Sequence, residues 1–406
     1  MPADRVSARE VGHPRASERF GQVHGAMQRY VDDEILAGVS SAILVGRELV
    51  DLRCVGWADR ERRVALRPDH IFRIFSNTKL VTSCAALLLL DEGRFELDDP
   101  IGRYLPPLAQ LRVLKPGAAS LDDTEPARSP ITIRHLLSHG AGLSSGLLNP
   151  GTPIFDAYAR AGVRDPAGTL ADMVRALSSL PLVFHPGCGW EYSMATDVVG
   201  RLVEVLSGQR LDQFFQRRIF EPLGMTDTGF VLAPAQRDRF VVCYEGASRE
   251  DPWMPGLTRS DDAPYAGAYL KRFPRQAAGG GLVSTLPDMM ALLRSLLPRG
   301  QSLLRPQTIS MVMSNQLAPG QAIQFPGAVK TPGKGFGLAG AVTLAPSPED
   351  PPEAAGEFEW GGIAGTHWWI SPANNLAGLV MAQRQWAFWH PFSLELKRLV
   401  YRAALQ

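Results

Sequence analysis

The sequence predicts an α+β fold, with one sheet assembled from both ends of the chain and a mainly helical stretch inserted between them. Two observations carry this reading. Strand patterns occur near the start and return only in the last third. Between roughly Leu97 and Arg275, short helical stretches alternate with loops rich in Pro and Gly. The expected division is 1–96 with 276–406 for an α/β domain built from both termini, and 97–275 for a mainly helical insertion. A chain of 406 residues, 45% of them hydrophobic, is ample for a sizeable core and for more than one compact unit.

Taken in order, residues 15–36 read as a helix from apolar side chains at three- and four-residue steps. Residues 41–45 and 49–55 are β-branched and apolar runs joined at Gly46-Arg47, a hairpin signal. The segment 76–92 is apolar on every side and stops at Gly93, so it reads as a buried helix. Helical stretches follow at 133–139, 170–180 and 197–206. Strands are expected at 336–344, 368–370 and 376–382, and a terminal helix at 392–404. Residues 346–355 read as an exposed acidic loop.

Bulk properties exclude several classes of function. Forty-two basic and 41 acidic side chains leave a net charge of +1 with no polybasic block, which gives nucleic acid or an anionic membrane little to hold. Small, roughly neutral substrates fit better. Cys54, Cys84, Cys188 and Cys243 are scattered and signal neither a disulfide framework nor a zinc site. The polar start lacks the apolar core of a secretory signal, and the longest apolar run, 84–90, is too short to span a bilayer. A soluble, cytoplasmic protein is expected, with its oligomeric state unreadable.

Ser76-Asn77-Thr78-Lys79 stands at the mouth of the buried helix. Three residues make about one turn, so Ser76 and Lys79 share a face. A helix N-terminus adds positive potential and free N–H groups suited to an oxyanion. Serine is a weak nucleophile until a partner accepts its proton, and a buried lysine can serve. The competing reading is an N-cap serine followed by a chance lysine. With 25 serines and six lysines in the chain, the spacing arises by chance about 0.4 times.

Further on, Tyr192 closes a Pro-Gly loop just before a helix. It can act as a general base where a nearby cation acidifies its hydroxyl; alone, it reads as a packing residue. Trp360-Gly361-Gly362-Ile363 places glycines inside a strand pattern, which allows close approach of a ligand or of a neighbouring strand. An N–H from that strand could complete an oxyanion hole with the N–H of Ser76.

In this order and spacing, the three elements resemble the serine β-lactamase and penicillin-recognising hydrolase superfamily. The likeness is strongest to class C β-lactamases, family VIII carboxylesterases and the acyltransferases related to them. It covers nearly the whole chain and includes Ile133-Arg134-His135-Leu136-Leu137-Ser138-His139-Gly140, Phe220-Glu221-Pro222-Leu223-Gly224-Met225 and Gly279-Gly280-Gly281.

The resemblance implies an antiparallel sheet flanked by helices, an inserted all-helical domain, and an active site between them. It assigns Ser76, Lys79 and Tyr192 to catalysis, the backbone of Ser76 and Ile363 to the oxyanion hole, and Trp360, Gly361, Gly362 and Met194 to substrate binding. No cofactor or metal is implied. Met194 departs from the family's Tyr-x-Asn, and Trp360 stands where β-lactamases carry the lysine that meets a substrate carboxylate. Neutral esters lose nothing by that swap, so a carboxylesterase for short-chain esters is expected. Lys at 360 with Thr at 361 is expected to restore β-lactam binding.

The alternatives are an acyltransferase, a β-lactamase or D-amino-acid peptidase, and a non-catalytic scaffold. Gly142-Leu143-Ser144-Ser145-Gly146 matches the Gly-x-Ser-x-Gly nucleophile elbow but lacks the preceding strand that elbow requires. Lys330-Thr331-Pro332-Gly333 mimics Lys-Thr-Gly, but its proline suits a loop. His135 and His139 are four apart, as in zinc-binding helices, but no glutamate follows His135, so packing or capping is expected.

Overall fold

The computed structural model describes residues 18–325, 331 and 333–406. The polar first 17 residues lie outside these, with the first three positions of the expected helix 15–36, and so do Lys330 and Pro332.

Helix α1 (Gly21–Asp32) buries Val23, Ala26, Met27 and Tyr30, one stripe at helical spacing. Strands β1 (Gly38–Val45) and β2 (Glu48–Asp59) form the expected hairpin. Val45 pairs with Glu48 across the two-residue turn, where Gly46 takes φ +60°. Next come β3 (Val64–Ala65) and α2 (Thr78–Asp91), then α3 (Ile133–Leu137), α4 (Leu170–Ser178), α5 (Ala195–Ser207) and α6 (Leu286–Ser295). The chain ends with β4 (Lys334–Phe336), β5 (Ala341–Thr343), β6 (Phe358–Gly362), β7 (Thr366–Ser371), β8 (Leu376–Ala382) and α7 (Phe392–Leu405).

These eight strands form one antiparallel sheet in the order β4-β5-β6-β7-β8-β1-β2-β3. The two ends of the chain meet inside it, where Val39 of β1 pairs with Ala382 of β8. All of β8 is buried, which requires cover on both faces. Leu376, Val380 and Ala382 pack with α1 and α7, through residues such as Met27, Tyr30, Leu396 and Val400. Ala377, Leu379 and Met381 face the other way, into a cluster that continues through Met289 of α6 and Leu87 of α2 to Val198 of α5 and Leu170 of α4. Helix α2 is thus sheathed on all sides, as its uninterrupted apolarity predicts; Thr78–Leu87 and Leu89 are all buried.

Two local expectations are corrected. Residues 336–344 are not one strand. Gly337 donates to Gly340 O at 2.7 Å, and the chain doubles back as the β4–β5 hairpin. A side chain at Gly337 would place its Cβ 2.2 Å from Val312 O, so only glycine fits this bend. The 346–355 loop is only partly exposed. Asp350 is buried and pairs with Lys334 Nζ at 2.9 Å, in a cluster where Glu359 is 2.6 Å from both Lys334 and Lys397, and Glu357 is 2.6 Å from Lys397. Among the described residues, no helix is long and apolar enough to cross a membrane.

Candidate active site

Ser76 lies in a one-turn 3₁₀ segment, Phe75–Asn77, that runs directly into α2. Phe75 has φ +42°, a conformation that costs a non-glycine residue on the order of 1–3 kcal/mol unless its surroundings impose it. Here they do. Ile74 N–H donates to Leu282 O at 3.1 Å and Leu282 N–H to Thr78 Oγ1 at 3.1 Å. Asn77 Nδ2 donates to Thr366 O at 3.2 Å. The serine turn is held between the Gly279–Leu282 segment and the β6–β7 connection.

Lys79, the second residue of α2, is buried, and its Nζ donates to Gly279 O at 2.6 Å. The ammonium stands 4.5 Å from the centre of the Tyr192 ring, and the Tyr192 hydroxyl is 2.5 Å from Ser76 Oγ. The structure thus brings the three expected catalytic side chains together from α2 and from the loop before α5. That loop is stitched to the chain around His139: Gly187 N–H donates to Gly140 O, Glu191 N–H to His139 O and Met194 N–H to Ser144 O.

Burial first, and the Lys79 charge second, push the His139 imidazole well below its usual range. It is therefore a neutral hydrogen-bonding wall, with Nδ1 3.0 Å from Ser193 Oγ. Glu191 is pushed upward, chiefly by burial, with a hydrogen bond to Ser144 opposing.

The sheet supplies a second wall. Trp360 is buried, its ring 5.6 Å from that of Tyr192, 5.1 Å from Phe336 and 5.5 Å from Phe388, so an aromatic box surrounds it. A Cβ on Gly362 would lie 2.6 Å from Ile74 O, and one on Gly361 would lie 2.5 Å from His367 Nδ1. Both glycines therefore permit close packing, Gly362 against the serine turn and Gly361 against β7. Ile363 follows on the turn into β7. Among the described residues, neither its N–H nor that of Ser76 has an acceptor, which leaves both free for an oxyanion.

Ser76, Lys79, Tyr192, Met194, Trp360, Gly361 and Ile363 line one cleft of about 720 Å³, within the usual range for a small-molecule site. Gly362 lies behind it.

The rejected serine and histidine motifs do not form catalytic or metal sites of their own. Ser144 is fully buried and accepts a hydrogen bond from Asn149 Nδ2 at 3.1 Å. Thr132 and His135 cap α3 reciprocally, while His139 falls beyond the helix end at φ +59°, so the two histidines do not share a helical face.

Sequence reasoning missed Asp197, Arg164 and Arg275. Asp197 is buried in the first turn of α5, lines the cleft and leaves Oδ1 without a partner among the described residues. An acid in a first turn reads as an ordinary dipole effect, which hides such a residue in sequence. Arg164 and Arg275 also line the cleft, from loops with no motif of their own.

Sequence and fold are shared with proteins already known. The beta-lactamase family profile matches residues 23–388. Esterase EstB of Burkholderia gladioli is 31% identical over 379 residues, 90% of this chain and 91% of that protein. A lovastatin esterase of Penicillium rubens is 33% identical over 330 residues, 77% and 79% of the two chains. EstCE1, described as a hydrolase with promiscuous acyltransferase activity, superposes with a TM-score of 0.78 at 25% identity, covering 95% of this chain and all of its own. A profile match over most of the chain, relatives aligned over more than three quarters of its length, and a shared fold lead to one conclusion: this chain belongs to the beta-lactamase family.

Proposed function

We propose that the chain is a serine carboxylesterase of the family VIII type that cleaves short-chain esters through an acyl-enzyme on Ser76. The observation that carries this is the 2.5 Å approach of the Tyr192 hydroxyl to Ser76 Oγ, with the Lys79 ammonium against the same ring. Tyr192, with Lys79 against its ring as the second member of the proton-transfer pair, takes the Ser76 proton as Oγ bonds to the ester carbonyl carbon. The oxyanion lies between the N–H groups of Ser76 and Ile363. When the intermediate collapses, the carbon–alkoxide bond breaks and the proton passes from Tyr192 to the leaving alcohol. Water then repeats the sequence: Tyr192 accepts its proton, the acid departs and Ser76 recovers its hydrogen. Tyr192 and Lys79 act as one proton-transfer unit.

Residues 97–275 are proposed as the insertion that provides one wall of the cleft, with the sheet providing the other. Acyl transfer to an alcohol is the second reading, supported by the description of EstCE1 and by a cleft wide enough for an acceptor. A β-lactamase role is disfavoured by Met194 and Trp360.

The test is kcat/KM for a short-chain nitrophenyl ester against a chromogenic cephalosporin on one preparation. Preference for the cephalosporin would overturn the esterase reading. Ester product formed when an acceptor alcohol is added would identify the transferase.

A further inference from the structure

The net charge of the whole chain conceals a strong local imbalance. Five cations, Lys79, Arg164, Lys271, Arg272 and Arg275, line the cleft, against two carboxylates, Asp197 and Asp212. Arg272 is 2.7 Å from Asp212, and Lys79 and Asp197 both stand against Gly279. Among the described residues, no carboxylate comes within 4.0 Å of Arg164, Lys271 or Arg275.

Arg275 is built in rather than trailing in solvent, and Arg164 stands exposed beside it on the cleft wall. Arg275 is 8% exposed, donates from Nη1 to Val163 O at 3.0 Å and through its backbone to Pro166 O at 3.4 Å, and leaves Nε without a partner among the described residues. It is therefore clamped to the chain on both sides of Arg164. Among the described residues, the Arg164 side chain makes a single 3.5 Å contact, to Ser145 O. Two neighbouring guanidinium groups with no carboxylate partner among the described residues, one of them buried and the other open to the cleft, make a site complementary to an anion.

We propose that the substrate carries a carboxylate and that Arg164 and Arg275 receive it, making the preferred substrates monoesters of short dicarboxylic acids or esters of comparable charge. This rests on the esterase reading and narrows it. A singly charged carboxylate is favoured over a doubly charged phosphate because Asp197 lines the same cleft and contributes a negative charge of its own. The inference departs from the neutral substrate expected from net charge. It differs in place from the β-lactamase arrangement, in which a sheet lysine meets the carboxylate, because here that position is Trp360.

The experiment compares kcat/KM for mono-4-nitrophenyl glutarate and for its methyl ester, a near-isosteric neutral control. The acid ester should be favoured at least tenfold at low salt, and 1 M NaCl should erode the preference. Arg164→Gln should bring the ratio close to one, chiefly by raising KM for the acid ester, and Arg164→Lys should retain part of it. Arg164 carries the test because Arg275→Gln is buried and threatens folding. Equal cleavage of both esters by the wild type, or an unchanged ratio in Arg164→Gln, would overturn the subsite while leaving the esterase standing. If neither ester is cleaved, glutarate should still raise the Tm of the wild type and not of Arg164→Gln. That result would keep the subsite and overturn the esterase, and no Tm response would overturn both.

Discussion

Replacing Gly279 with alanine tests the seat of Lys79 with one added carbon. The new Cβ would lie 2.5 Å from Asp197 Oδ2 and 3.3 Å from Lys79 Nζ. Ordinary contact begins at 3.4 Å, so the carboxylate or the 277–281 segment must yield by roughly 1 Å. The segment is constrained: Gly281 N–H donates to Ala277 O at 2.7 Å, and Thr82 Oγ1 holds Ala278 O at 2.7 Å. Asp197 is buried in α5. The strain therefore falls on the 2.6 Å bond from Lys79 Nζ to Gly279 O. A displacement of about 1 Å in catalytic geometry costs on the order of 10²-fold, near 2.7 kcal/mol in activation free energy. The assay is kcat/KM on a short-chain nitrophenyl ester, with Tm to show that the fold survives. Gly280→Ala is the control, because its Cβ meets only Phe75 backbone atoms at 3.8 and 3.9 Å. Near wild-type turnover in Gly279→Ala, or equal damage in both variants, would refute the account of Lys79.

Other expectations follow from the same geometry. Tyr192→Phe deletes the oxygen beside Ser76 with little change in volume, so turnover should fall about 10²- to 10⁴-fold with Tm nearly unchanged; Lys79→Ala should be comparable, and the double variant little worse than either. Ser76→Ala should abolish fluorophosphonate labelling, whereas Ser144→Ala, at a position buried away from the cleft, should still label at Ser76 by mass spectrometry. Lys397→Met leaves Glu357 and Glu359 without their shared ammonium, and denaturant unfolding should show a loss of about 3–5 kcal/mol.

What could be read from the sequence depended on how local the physics was. The β1–β2 hairpin turns on two adjacent residues, and α2 announces its burial by having no polar face. Ser76 and Lys79 declare themselves by lying one turn apart at its mouth. Tyr192 gained meaning only beside them, since nothing in its own loop separates a base from a packing ring. Arg275 and Val163 are 112 positions apart, and the Lys334–Glu359 and Lys397–Glu357 pairs span 25 and 40. No periodicity encodes such contacts, which is why the cations that line the cleft were invisible and the 346–355 loop looked wholly exposed. Net charge is silent on the cleft for a related reason: an integral over the surface carries no information about where the cations gather.

The same limit applies to the third family element, where the sequence invites a simple exchange. Lys at 360 and Thr at 361 would recreate the β-lactamase pattern, but each position is fixed by its surroundings. Residue 360 sits in a box of Tyr192, Phe325, Phe336 and Phe388, with Phe325 stacked at 6.2 Å. Removing the buried indole opens a cavity worth about 3–5 kcal/mol in comparable truncations. A lysine stem fills only part of it and brings a charge that must be desolvated. Threonine at 361 would set its Cβ 2.5 Å from His367 Nδ1 and 3.1 Å from Thr366 O, against a strand held by the β6–β7 ladder. Trp360→Lys/Gly361→Thr should therefore lose stability and ester turnover without gaining hydrolysis of a chromogenic cephalosporin, contrary to the expectation from motif alone. Thermal unfolding and the two kcat/KM values measure this together. A folded double variant that cleaves the cephalosporin faster than the parent would show that the motif, and not its packing, sets the substrate class.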